Sequence, residues 1–269
     1  MMKIFCTLAT LCALATPFAG DAQAPHPSDI IESNMRPGWK TDAGTYMAAL
    51  HLRLAQDWIT YWRHPGESGL APRLDISASQ NLASARILWP EPRLYLKAGF
   101  ASIGYADDVI LPIELIPIDP SLPVELNAIL SVGVCADICI PVDLSLNAAV
   151  NGNGVPDGMI AAALTQRPRA ARTAGLHGIS CAISPDKRGL RLSASLQMPS
   201  QGTDEFVLVE MVGSSMPARA MPTQRQGDTL TGQTVFRTDT GGSIDRSAVR
   251  ISVISEHGRT VHQGCALSD

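Results

Sequence analysis

Cys135 and Cys139 lie in the stretch Gly133 to Pro141, GVCADICIP, with three residues between them. A pair this close can be a structural disulfide, half of a metal site, or a redox couple. Closing so small a loop contributes comparatively little stability on the chain-entropy model, so stapling is a weak reason to keep it. Four extended residues cover ~13 Å, whereas bridged cysteines need Cα atoms within ~7 Å. The segment must therefore bend into a turn or a single helical loop between its flanking strands, LNAILSVGV and VDLSL. A cysteine loop at the end of a hairpin would be open to another protein's thiol, which suits a redox couple. Zinc takes Cys-x2–4-Cys pairs but wants companion ligands. His26, His51, His64, His177, His257 and His262 offer no complementary close pair near the loop. Soft thiolate and thioether ligands leave Cu(I) as a competing chemistry. Met211, Met216 and Met221 recur every five residues, a spacing that core or loop packing also explains. No metal site and no cofactor is assigned.

The environment of the pair can be read in part. Asp137 stands between the cysteines, and a nearby carboxylate disfavours a thiolate. No Lys, Arg or His is close in sequence to oppose it, and a hairpin lacks the field of a helix N-terminus. The expectation is a couple that is sluggish toward small disulfides and depends on docking to a specific partner. Four cysteines outside the leader allow three pairings. With Cys135 and Cys139 paired by proximity, Cys181 and Cys265 remain, in the first and last strands of the second half. Joining them closes a loop of about 85 residues, worth ~4 kcal/mol on the same model, and reads as a structural disulfide.

The compartment follows from the first 24 residues, MMKIFCTLATLCALATPFAGDAQA. Lys3, an apolar run from Ile4 to about Ala15 and the small-x-small Ala22-Gln23-Ala24 have the anatomy of a cleaved secretory signal. Cys6 and Cys12 fall inside it. The most apolar later region, VILPIELIPIDPSLPVELNAILSVGV, carries Glu114, Asp119, Glu125 and four prolines, so it does not read as a membrane span. The expectation is a periplasmic, disulfide-permissive setting. Net charge is −4 and no basic block occurs, so nucleic acid is not an expected partner. Hydrolase and nucleotide motifs are absent from the sequence, and His64 has no nucleophile beside it to serve as a base.

The elements that must hold the cysteines are strands. Short alternating runs bounded by Pro, Gly, Asp and Asn dominate: TYMAALHLRL, DWITYW, ASARILWP, VILPIELIPI, LNAILSVGV and VDLSLNAAV. A loop, NGNGVPDG, and one short helix, MIAAALTQR, stopped by Pro168, interrupt them. Strands then resume as GISCAISP, GLRLSASLQM, EFVLVEM, TLTGQTVF, VRISVIS and RTVHQGCAL. The reading is an all-β chain with a first β domain over residues 25–151. A linker with a short helix over 152–172 and a second sandwich-like domain over 173–269 follow. One continuous large sandwich is the alternative.

Four motifs in order carry a resemblance: TYWRHPGESGLAP, ILWPEP, SIGYADDVILPI and GVCADICIP. Together, over roughly residues 30–150, they resemble the N-terminal periplasmic domain of the thiol:disulfide interchange protein DsbD, in its ScsB-type or stand-alone secreted variant. The resemblance implies an immunoglobulin-like sandwich whose cysteines, Cys135 and Cys139, shuttle electrons as a protein-disulfide reductase. The implied partners are a membrane-embedded thiol carrier of the DsbD/ScsB type and periplasmic thioredoxin-like proteins, with Cys139 joining the partner first. Cytochrome maturation and copper tolerance are the settings the family suggests. The better-known members separate their cysteines by more residues and shield them with a cap containing acidic residues. Here that region is RLYLKAGFASIGY, with no acidic pair, and Tyr95, Phe100 and Tyr105 are the candidate shielding residues. The competing class is a non-enzymatic secreted binding module for copper handling or periplasmic protein assembly.

Overall fold

The computed structural model describes residues 25–67, 69–97, 99–150, 152–213, 218–220, 223–237 and 243–266. The expected secretory signal, Met216 and Met221 lie outside the described residues. Strand accounts for 60% and helix for 7%, which makes the fold all-β. Among the described residues no helix is long and apolar enough to cross a membrane.

Ten strands build the first sandwich: β1 (Ile31–Lys40), β2 (Tyr46–Leu54), β3 (Ile59–Gly66), β4 (Arg73–Asp75), β5 (Leu82–Ile87), β6 (Arg93–Lys97), β7 (Phe100–Ala106), β8 (Asp108–Pro117), β9 (Val124–Cys135) and β10 (Cys139–Val150). One sheet runs β1-β2-β8-β5 and the other β10-β9-β3-β7-β6, with β4 added on β9. The two-residue period of a strand decides what enters the core. On β9, Val124, Leu126, Ala128, Leu130, Val132 and Val134 all point inward. They meet Leu50, Leu52, Leu111, Ile113 and Leu115 from the facing sheet. The intervening residues of β9 face outward, and Cys135 belongs to that set by parity.

Four strands, β1, β4, β6 and β7, were not legible as strands. β1 contains Pro37 and Gly38 and shifts register between Arg36 and Trp39, which an edge strand tolerates. Gly38 is needed there, because a Cβ would stand 2.0 Å from the Met47 carbonyl oxygen. The helix over Gly158–Thr165 is capped by Asp157, which accepts from the Met159 and Ile160 amides. Arg36 pairs with the same carboxylate at 2.6 Å. Ile160 and Ala163 bury against Met47, Ala49, Leu88 and Ile110, so the helix lies on the first sandwich.

The second half has two sheets of its own. One joins Gly178–Asp186, Gly189–Gln197, Thr229–Phe236 and Ala218–Ala220, with Gln224–Gln226 also on Thr229–Phe236. The other runs Arg169–Ala170, Gly258–Gln263, Val249–Ser255, Phe206–Met211. Leu192, Leu196, Val207, Val209, Phe236, Val249, Ile251 and Val253 fill the space between them. Two of these strands bury both faces. Val207 and Val209 enter the second core, while Phe206 and Leu208 join the first cluster together with Ile254. Continuing that parity, Glu210 receives Arg63 of β3 at 3.2 and 2.8 Å, and Arg63 also donates to Ser252 Oγ at 3.0 Å. The guanidinium stacks on the Trp62 ring at 3.5 Å. Both charged partners are largely buried, so losing either one alone would strand the other.

A disulfide joins Cys181 to Cys265 across 84 positions, with Cα atoms 5.5 Å apart. Both side chains pack against the second core. Replacing both cysteines with alanine is expected to cost about 2–4 kcal/mol of stability. Urea unfolding of the double variant would show this as a lower midpoint, and an unchanged midpoint would count against a stapling role.

Candidate redox site

The β9–β10 hairpin is paired without interruption from Val124↔Val150 to Cys135↔Cys139. That register brings the two cysteines opposite one another at the hairpin end, with Cα atoms 4.1 Å apart and their sulfurs bonded. The bend between them is closed by the Ala136 amide donating to the Ile138 carbonyl at 3.0 Å. The two halves of the bond differ in exposure. Cys135 is only 4% exposed, whereas Cys139 is exposed at the start of β10. An incoming thiolate can therefore reach one sulfur far more easily than the other.

Tyr61 touches the pair, a residue the sequence placed only within the TYWRHPG motif. Trp62 points into the core, so its neighbour Tyr61 points to the opposite face of β3. Its hydroxyl lies 3.4 Å from Cys139 Sγ. A bridged sulfur carries no proton, so the hydroxyl is the donor. Burial pushes the Tyr61 phenol up, with a hydrogen bond to Ser102 opposing, so it stays protonated in the neutral range. After reduction the same donor would favour a thiolate at Cys139. The alternation that separates Tyr61 from Trp62 was the available signal.

Glycines make room for this ring. A Cβ on Gly133 would stand 3.2 Å from two Tyr61 ring carbons and 3.0 Å from Leu70 Cβ. At Gly69 a Cβ would come within 2.3 Å of the ring, and φ is +117°, a conformation that side chains rarely adopt. Thr60 donates to the Gly133 carbonyl at 3.0 Å, tying β3 to β9 beside the cysteines.

Asp137 is not alone, as the sequence had suggested. Lys97, from the end of β6, donates to it at 2.8 Å and reaches the Ala136 carbonyl at 3.4 Å. The hydrogen bond and then the charge of Lys97 hold the Asp137 carboxyl below its ordinary value. Its negative charge is thus partly offset beside the thiols by a residue 40 positions away in sequence. The candidate shielding residues divide. Phe100 pairs with Lys97 across the β6–β7 turn and is 55% exposed. Tyr95 is half-buried on β6, and burial pushes its phenol up. Tyr105 lies in the core between the sheets, its hydroxyl donating to the Pro90 carbonyl at 2.9 Å, on the side away from the disulfide.

His64 is occupied structurally, accepting from the Gly66 amide at 3.1 Å. Burial, the largest influence, pushes it toward the neutral form, with Glu210 opposing and Arg63 adding to the effect. Met211 closes the strand Phe206–Met211. Among the described residues no three His, Cys, Asp or Glu side chains converge as a metal set.

Gly69→Ala tests the packing over Tyr61. It is expected to destabilise the protein by about 1–3 kcal/mol through backbone strain and the clash with the ring. Gly44→Ala, with φ +81° but nothing within 4 Å, should cost less. Denaturant midpoints of the two variants make the comparison, and equal losses would contradict the proposed contact.

Residues 31–150 match the family described as "Thiol:disulfide interchange protein DsbD, N-terminal". No curated protein matches the chain. The fold is similar to the crystal structure of the N-terminal periplasmic domain of ScsB from Proteus mirabilis, with a TM-score of 0.67 and 23% identity. That likeness, one of fold, covers 91% of this chain and 97% of the other. It therefore extends through the second half, beyond the matched family region. The chain thus contains, over residues 31–150, a region that matches the DsbD N-terminal family.

Proposed function

We propose that this protein is a periplasmic thiol–disulfide oxidoreductase that relays reducing equivalents through Cys135 and Cys139. The observation that carries the reading is the asymmetric bond: an exposed Cys139 joined to a buried Cys135 at the end of a hairpin. The match of residues 31–150 to the DsbD N-terminal family supports the exchange chemistry.

The cycle needs no cofactor. In the reduced protein the Cys139 thiolate attacks one sulfur of a thioredoxin-like partner's disulfide. A new intermolecular S–S bond forms, the partner's bond breaks, and its second sulfur leaves as a thiolate. Cys135, deprotonated, then attacks Cys139 Sγ. The Cys135–Cys139 bond re-forms and the partner's first thiolate departs. The partner gains two electrons and this protein loses two. A membrane-embedded thiol carrier of the DsbD/ScsB type restores the dithiol by the same two exchanges in reverse roles. Tyr61 steadies Cys139 as a donor, and the Lys97–Asp137 pair limits the cost of a second negative charge nearby.

Residues 1–24 serve as the export signal, residues 152–172 as a linker and 173–269 as a second domain that accompanies the redox domain. Cys181–Cys265 stays closed through the cycle as a structural bond. Exposed Leu96, Phe100 and Ile138 lie on the two neighbouring hairpin ends and supply apolar area for docking. This fits a couple that is selective for a protein partner.

Trapping tests the reading. A Cys135→Ala variant mixed with periplasmic extract should form a mixed disulfide through Cys139 with a thioredoxin-like protein or thiol carrier, identified by mass spectrometry. Cys139→Ala should trap far less, because its remaining thiol is buried. Failure of both variants to trap, with a wild-type bond that a dithiol reductant cannot cycle, would overturn the relay.

A further inference from the structure

A cavity of about 250 Å³ lies where β3, the segment after β5, the residues following the helix Gly158–Thr165 and the strands Val249–Ser255 and Gly258–Gln263 meet. Arg63, Arg86, Arg167 and Arg250 line it, with Ile87 and Trp89 on the apolar side. Four cations converging on one cavity is unexpected in a chain of net charge −4.

Their partners account for only half of that charge. Arg63 is held by Glu210 and Ser252, and Arg86 by Glu114 at 2.5 Å. Arg167 and Arg250 make no ion pair among the described residues. Arg250 sits opposite Glu210 in the strand register, but that carboxylate is already bound in a two-point grip by Arg63. Burial and then Arg63 push the Arg250 guanidinium down, and Glu210 only opposes them. Four guanidiniums against two committed carboxylates leave two positive charges along one half-open cleft, with Arg167 at its exposed side. Such a site attracts an anion, and arginine forks match planar carboxylates.

We propose that this cavity binds a small organic polycarboxylate, its acidic groups taken by Arg167 and Arg250 and its carbon skeleton against Ile87 and Trp89. The ligand bridges the two halves of the chain, since Arg250 comes from the second sandwich and Ile87 and Trp89 from the first. The apolar wall selects a carbon-bearing anion over a bare oxyanion. The inference is independent of the thiol chemistry, because none of these residues touches the cysteines.

Isothermal titration of the purified protein with citrate, and separately with inorganic phosphate, tests it. Citrate should give a saturable isotherm with one site, and phosphate should bind more weakly. Arg167→Ala with Arg250→Ala should weaken citrate by about tenfold to a hundredfold. Arg167→Ala alone, at an exposed position, should lose part of the affinity even if the double variant does not fold. Lys187→Ala, in the turn between Gly178–Asp186 and Gly189–Gln197, should leave it unchanged. No saturable heat with citrate, equal affinity in Arg167→Ala, or tighter binding of phosphate than citrate would overturn the proposal.

Discussion

The register of the β9–β10 hairpin is the constraint on which the site depends. Its inward residues are locked by burial along the whole of β9, from Val124 to Val134. A slip by one residue would turn all of them to solvent, so the pairing is strongly specified. With the register fixed, Cys135 and Cys139 stand opposite each other and need no further adjustment to bond. The same parity places Cys135 on the outer face with Gly133. That glycine leaves a space on the face, and the Tyr61 ring occupies it. The thiol chemistry is therefore a by-product of core packing carried to the end of a strand.

The second half is more than an appendage. Its strands Phe206–Met211 and Val249–Ser255 send one set of residues into their own core and the other onto the first sandwich. Arg63 closes the junction by gripping Glu210 and Ser252 while lying on Trp62. Two residues back along β3 sits Tyr61, in contact with Cys139. One strand thus carries both the contact to the disulfide and the anchor to the second sandwich. A change that loosens the Arg63–Glu210 grip has a short covalent route to the ring beside the cysteines.

Much of this was written in local patterns. The alternation in LNAILSVGV and VDLSLNAAV identified β9 and β10, and the need to bend Cys135 toward Cys139 implied a tight turn between them. The helix after NGNGVPDG was legible from its composition and the stop at Pro168, but not its docking on Met47, Ala49 and Ile110. β1 was hidden because Pro37 and Gly38 break its pattern at a bulge that only an edge strand permits. Lys97 and Tyr61 were missed for a different reason. Lys97 reaches Asp137 across 40 positions and Tyr61 reaches Cys139 across 78, and no local spacing encodes such contacts. Tyr105 read as a neighbour of the cysteines by its motif, but strand parity sends it into the core.

The central claim is that Cys139 is the reactive end of the couple and Cys135 the protected one. Brief treatment of the reduced, folded protein with iodoacetamide, followed by peptide mass mapping, tests this most directly. The account predicts that Cys139 is labelled well before Cys135. Labelling of Cys135 at an equal or greater rate would contradict it.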